Sequence, residues 1–376
     1  MKKLLIGLVL VAVMAAVALS MTPVRAFLVA LTLPEYPDWP EPQATLSAGD
    51  SGAIYYPTAS PYDLEVILND MSLARPTTGL GYLSYPATAS AEAPVPAMVI
   101  VPGSGGISPG REHEYAALFN QHGIAAFIVE YYAPRGFGED ANYLVRTSAV
   151  TEFDLIADAY AALKLLGSSP LIDPLRIGII GFSYGGMASR LSMDPRIHRA
   201  LAPQHPPFSA HIDNYGPCFQ KLGSTGTTGA ALLTLRGTAD SSNDLQACAL
   251  REQELRNLGV EVTAHIYDGA PHAWENSAAR QLSEDSPYLA GCELSYDAGG
   301  KPYVDGKLLL EYAMDASHAT KMAVRFGMSD RLRDCVRWGY EVGRDEVTRN
   351  RAYRDILAFL SARWGLGQGR PDSGLH

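Results

Sequence analysis

A chain of 376 residues, 47% hydrophobic and 19% charged, has the apolar material for a sizeable core, which excludes disorder over most of its length. A formal charge of −10 with no long basic run argues against nucleic-acid binding and against electrostatic attachment to anionic lipid. Length by itself allows one large domain or two small ones.

Met1-Lys2-Lys3 precedes a nearly pure apolar run from Leu4 to Leu19, followed by Ser20. A positive start, an apolar stretch and small residues describe an export signal, with Ala16-Val17-Ala18 and Ala18-Leu19-Ser20 both suited to cleavage. The competing reading is an uncleaved anchor, for which Leu4 to Met21 is slightly short of the roughly 20 residues a span needs. A second apolar patch covers Phe27 to Leu33. From Pro34 to about Pro57 the chain is rich in Pro, Tyr, Glu and Asp without a period, and reads as a linker or an arm laid over the surface.

The first strand of substance is Pro96 to Val101, ended by the turn Pro102-Gly103-Ser104-Gly105-Gly106. A helix over Glu112–Gln121 stops at Gly123, and Ile124–Tyr131 is a second buried strand. The segment Val150–Leu166 is apolar at helical spacing, and Arg176–Ile180 is a third strand. Met187–Ser192 reads as helix, Arg199–Ala202 as strand, Ala230–Leu235 as strand, Leu245–Leu258 as helix and Val260–Tyr267 as the last strand of the series. Glu275 to Asp334 breaks the rhythm with a hairpin signal at Tyr296–Tyr303, and Arg349–Trp364 is a closing helix. Alternating strands and helices imply right-handed crossovers and a mainly parallel, doubly wound sheet flanked by helices, an α/β fold with a C-terminal insertion. Ligands of such sheets bind beyond the carboxyl ends of the strands.

Gly181-Phe182-Ser183-Tyr184-Gly185 stands in that position, directly after a strand and before a helix. A sharp strand-to-helix turn strains the serine backbone, and the two glycines remove side chains that would collide across it. The alternative is a glycine-rich turn with an incidental serine. A serine hydroxyl needs a base, and His272 follows the last strand in Asp268-Gly269-Ala270-Pro271-His272-Ala273-Trp274. His205 and His211 precede the acid and break the order Ser, acid, His, while His265 lies inside a strand. Asp240 follows the strand Ala230–Leu235 and would orient the imidazole. Its rivals are Asp244, placed like a helix N-cap, and Asp268, which precedes the turn. The Gly-rich loop at Ser104, with Gly105 as the alternative, and the amide of Tyr184 would form an oxyanion hole.

Four cysteines, Cys218, Cys248, Cys292 and Cys335, form an even set in a chain with an export signal. They point to disulfides in one of three connectivities, or to buried thiols if the signal is misread; none is spaced like a metal site.

These motifs, together with Tyr131-Tyr132-Ala133-Pro134-Arg135-Gly136 and Asp173-Pro174-Leu175-Arg176-Ile177-Gly178, resemble the dienelactone hydrolase family of α/β-hydrolases over about Pro96–Trp274, and more weakly to Trp364. The resemblance implies an α/β-hydrolase fold and hydrolysis of an ester or lactone. It departs at the nucleophile, since relatives that open dienelactones carry cysteine where this chain has Ser183, so that particular lactone chemistry is not carried over. Certain exported-looking relatives carry a Tyr-Pro-Gly-Cys segment and a later cysteine after the acid. Tyr215-Gly216-Pro217-Cys218 and Cys248 are similar, which implies a Cys218–Cys248 bridge and leaves Cys292–Cys335 to pin the insertion. Gly105, Tyr132 and Arg135 are candidates for substrate contact, with a structural ion pair as the plainer role for Arg135. Tyr131, Tyr132, Phe137 and part of Glu275 to Asp334 are candidate pocket walls.

The expected layout is a signal or anchor at 1–20, an arm at 21–57, a single hydrolase domain at 58–366 and a tail at 367–376. The expected activity is cleavage of a small-molecule ester through an acyl-enzyme on Ser183, needing no metal or organic cofactor and no nucleic acid. Such an enzyme would be periplasmic or secreted, meeting a membrane only through an uncleaved N-terminus. The other readings are a non-catalytic binding protein on the same fold, and a peptidase or acyltransferase with the same triad.

Overall fold

The computed structural model describes residues 21–108 and 110–366; the expected signal or anchor at 1–20 and the tail at 367–376 lie outside the described residues. The helices are α1 (Thr22–Thr32), α2 (Leu64–Asn69), α3 (Glu112–Gln121), α4 (Tyr143–Ala149), α5 (Glu152–Gly167), α6 (Tyr184–Leu191), α7 (Pro195–Leu201), α8 (Leu245–Asn257), α9 (His318–Phe326) and α10 (Glu346–Trp364). The strands that lead into the chemistry are β1 (Gly52–Ser60), β2 (Arg75–Ser84), β3 (Val95–Val101), β4 (Ala125–Glu130), β5 (Ile172–Phe182), β6 (Ala210–Asn214), β7 (Gln220–Lys221), β8 (Ala231–Gly237) and β9 (Val262–Tyr267). All but β7 form one sheet in the order β1-β2-β4-β3-β5-β6-β8-β9. The six strands from β4 to β9 in that order are parallel, and β1 and β2 extend the edge antiparallel.

The apolar runs of the central strands make sense because both faces are covered. Along β3, Ala97, Val99 and Val101 enter one core while Met98 and Ile100 enter the other, and along β4 Ala125, Phe127 and Val129 alternate likewise with Ala126 and Ile128. Period-two alternation between two dry faces reads in sequence as an unbroken hydrophobic run. α5 packs on one face, α3 and α10 on the other.

α5 is buried almost all round, including Glu152, Asp154 and Asp158. A helix in that state must be covered on its outer side as well. Part of that cover comes from the segment after β9: Phe153 of α5 meets Tyr296 edge-on at 5.7 Å. This segment contains β10 (Gln281–Leu289), β11 (Leu294–Tyr296), β12 (Pro302–Val304), β13 (Lys307–Leu308) and β14 (Val336–Val342). The expected hairpin is the β11–β12 pair, which joins β13 and the distant β7 in a small sheet, and β10 pairs with β14. Cys218–Cys248 and Cys292–Cys335 are both disulfides.

Two expectations are corrected. Arg199–Ala202 is not a strand: Arg199, Ala200 and Leu201 end α7, which starts with Pro195 behind the capping side chain of Asp194. The strand of that stretch is β6, buried at every position although it carries His211, Asp213 and Asn214. Its polar content hid it, and partners make it tolerable: Arg236 donates to Asp213 at 2.9 Å, and the His211 ring lies 2.8 Å from the Ser189 carbonyl. The expected arm gives way at Gly52 to β1, where Pro57 is accepted because the strand lies on the sheet edge. The second apolar patch is helical over Phe27–Thr32, within α1.

Candidate active site

β3 and β5 are neighbours whose connections leave in opposite directions along the sheet, the switch point at which a crevice opens beyond the strand ends. Ser183 follows β5 there, with φ 53° and ψ −116°. Such a conformation costs a non-glycine residue about 1–3 kcal/mol, and the surroundings explain why it persists. A Cβ on Gly181 would fall 1.9 Å from the Gly185 carbonyl oxygen, and one on Gly185 2.3 Å from that of Val101. These two glycines let helix α6 start close to the strands.

His272 follows β9 and brings Nε2 to 2.9 Å from Ser183 Oγ. Its Nδ1 lies 2.6 Å from Asp240 Oδ2, just beyond β8. Asp240 and His272 are buried, and Ser183 is partly open. Burial works to raise the Asp240 carboxyl, but His272, Ser242 and Asn243 outweigh it and hold the group below its ordinary range. Ser242 donates to Oδ1 through both its amide and its hydroxyl, and Asn243 donates to Oδ2 at 2.6 Å. The carboxylate is therefore ionised and aimed.

The Gly-rich loop lies against the nucleophile: a Cβ on Gly103 would be 3.4 Å from that of Ser183. Tyr131 donates to the Gly103 carbonyl at 2.6 Å and Tyr132 to the Ser104 carbonyl at 2.9 Å. The carbonyls of this loop are thus held by tyrosines, while the Ser104 hydroxyl meets that of Tyr143 at 2.9 Å. Gly105 is exposed, and its carbonyl accepts from Arg146. Tyr184 opens α6, where a first-turn amide has no intrahelical acceptor.

Arg135 is elsewhere. Its guanidinium is buried in a two-pronged pair with Asp158, at 2.7 and 3.1 Å, and also donates to Ser60. The candidate role in substrate contact gives way to this structural one. Among the rivals, Asp244 caps α8 through the amides of Gln246 and Ala247, and Asp268 accepts from Thr238 away from His272. Burial lowers the His211 pKa to about 4, and this histidine faces Ser189 and Ser192.

Sequence reasoning missed several neighbours. Ser242 and Asn243 directly follow Asp240, a signal that was there to read. Tyr340 of β14 stands edge-on to His272 at 5.2 Å, and Tyr215 does so at 4.7 Å. Tyr215 and Tyr115 both donate to Glu275, a carboxyl that burial pushes up despite them. Below the nucleophile, Glu152 accepts from Tyr184 at 2.5 Å, from Gln220, and from Arg325 at 3.3 Å. Burial would raise this carboxyl, yet Arg325, Tyr184 and Gln220 bring it below its ordinary range. Long sequence separation concealed these pairings, those of Ser242 and Asn243 with Asp240 excepted. Among the described residues, no cluster of His, Cys, Asp or Glu is arranged to hold a metal ion.

A parallel sheet with a nucleophile elbow, an acid and a histidine at its carboxyl edge defines a carboxylic ester hydrolase of the α/β-hydrolase class. The chain belongs to the dienelactone hydrolase family, whose profile matches residues 81–298, a span holding Ser183, Asp240 and His272. No curated protein matches it. Among solved structures it is similar to Thermogutta terrifontis esterase 2 phosphorylated by paraoxon, at 20% identity and a TM-score of 0.42 over 52% of this chain and 80% of that one. The same esterase phosphonylated by cyclosarin aligns at 19% identity and a TM-score of 0.43, over 54% and 81%.

Proposed function

We propose that the enzyme cleaves a small-molecule carboxylic ester or lactone through an acyl-enzyme on Ser183. His272 Nε2 takes the Ser183 proton as Oγ attacks the carbonyl carbon, and Asp240 holds the imidazole in the required tautomer and stabilises the imidazolium. The oxyanion is received by the amides of Ser104 and Tyr184. The imidazolium then protonates the departing alcohol, leaving the acyl group on Oγ. Water, deprotonated by the same histidine, attacks this ester, and the acid departs as Ser183 recovers its proton.

The observation that carries the reading is the unbroken line from Ser183 Oγ through His272 to Asp240, at 2.9 and 2.6 Å. Ser183→Ala tests it with a short-chain aryl ester: kcat should drop by about 10⁶-fold with the fold intact, and a fluorophosphonate probe should label only the parent. Undiminished turnover overturns it. The two disulfides support export to an oxidising compartment, periplasmic or extracellular.

A further inference from the structure

α1 is built with its polarity reversed. Its outward side carries Phe27 and Leu31, 64% and 68% exposed, with Leu28 and Met21 about half exposed. Its single charge, Arg25, lies on the docked side, where a Cβ on Gly327 would be 2.8 Å from the guanidinium. Val29 is buried in the main core, and the helix packs along α9. A helix facing water shows the opposite distribution, charges out and leucines in. The surface turned outward by α1 has no charged group, and it directly follows the apolar run Leu4–Leu19.

α9 also packs against α4. There Tyr143 and Leu144 are exposed, 46% and 59%, and Tyr143 bonds the hydroxyl of Ser104 in the loop beside the nucleophile. One helix thus joins two apolar exposures, one continuing the N-terminal run and one at the rim of the catalytic crevice.

We infer that this side rests on a lipid bilayer, α1 lying in the interface and the crevice opening beside it. The partner is lipid because the outward side of α1 offers large apolar side chains and no charge, a pattern suited to the acyl boundary. In sequence, the nearly pure apolar run Leu4–Leu19 lies just ahead of α1, a neighbour whose composition is equally suited to lipid. The net charge of −10 makes the contact hydrophobic, so neutral lipid suffices and salt leaves it unchanged.

The test uses the full chain in phosphatidylcholine vesicles, carrying an environment-sensitive nitrobenzoxadiazole dye on Leu31→Cys, Leu144→Cys or Val347→Cys. All native cysteines are in disulfides, so each variant adds one reactive thiol. Val347, 79% exposed, is on α10, against the opposite face of the sheet. Dye at 31 and 144 should shift to the blue and be quenched by doxyl-labelled lipid, unchanged in 0.5 M salt at about the ionic strength that collapses surface electrostatics; dye at 347 should report water. Dye at 31 quenched by aqueous iodide as strongly as at 347 overturns the inference. So does dye at 31 shielded from iodide yet untouched by doxyl lipid, the result for a second copy or the N-terminal run folded back over α1. Embedding at 31 with a water-like signal at 144 overturns the orientation of the crevice. None of these readings depends on hydrolysis, so they stand apart from the fate of Ser183→Ala.

Discussion

The backbone of His272 is tied to Glu341: its amide donates to the Glu341 carbonyl at 2.8 Å, and Gly343 returns a bond to the His272 carbonyl at 3.1 Å. His272 is therefore stitched to β14, which follows Cys335 of the Cys292–Cys335 bridge by one residue. Ala273, beside it, is held at φ 50°. The C-terminal segment is part of the support for the chemistry.

Replacing both Cys292 and Cys335 by alanine should loosen that support. The expected result is a loss of about 2–4 kcal/mol of stability by denaturant titration, with kcat down by about tenfold, since small misplacements of a base are costly, and KM little changed. A fall in stability with kcat intact would show that β14 positions His272 without the bridge.

The acid is separated from its rivals by two substitutions. Asp240→Asn should lower kcat by about 10⁴-fold by favouring the wrong tautomer, whereas Asp244→Asn should leave kcat unaltered, because Asp244 caps α8. Ser242→Ala removes one charge-assisted bond worth about 1.5–3 kcal/mol, so its effect on kcat should be intermediate. Steady-state kinetics on an aryl ester reads all three.

Arg135→Ala leaves Asp158 charged and buried, and should cost about 3–5 kcal/mol. Arg135→Met with Asp158→Leu should regain most of it. KM for esters with and without a free carboxylate should respond equally in the double variant; a selective rise for the acidic ester would restore a substrate role to Arg135.

Glu152→Gln should show its cost as a function of pH. The folded state depresses the Glu152 carboxyl, so its charged form is favoured by folding. The advantage of the parent over the variant is complete above the unfolded value of about 4.3 and disappears as pH falls through the lower folded value. Urea midpoints at pH 7 and across the acid range measure the difference. An advantage that grows on acidification would contradict the sign.

The family match and the parallel sheet were legible because buried strands are continuous apolar runs and the elbow needs glycine at two fixed places. Ser183, Asp240 and His272 each follow such a run, so order along the chain was enough to nominate them. β6 was not legible, since a strand carrying His211, Asp213 and Asn214 resembles a core element only once Arg236 and Ser189 are seen beside it. Arg135 was ambiguous because a guanidinium that binds substrate and one that binds Asp158 look alike in sequence.

By itself the sequence determined the α/β class and nominated Ser183, Asp240 and His272 in that order, because local backbone geometry restricts which residues can stand after a buried strand. Tertiary structure decided what surrounds them: the tie between His272 and β14, the carboxylate of Glu152 beneath Tyr184, and the outward face of α1. Those depend on segments far apart in the chain meeting in space, and no local pattern encodes which side chain a buried charge or an apolar face will meet.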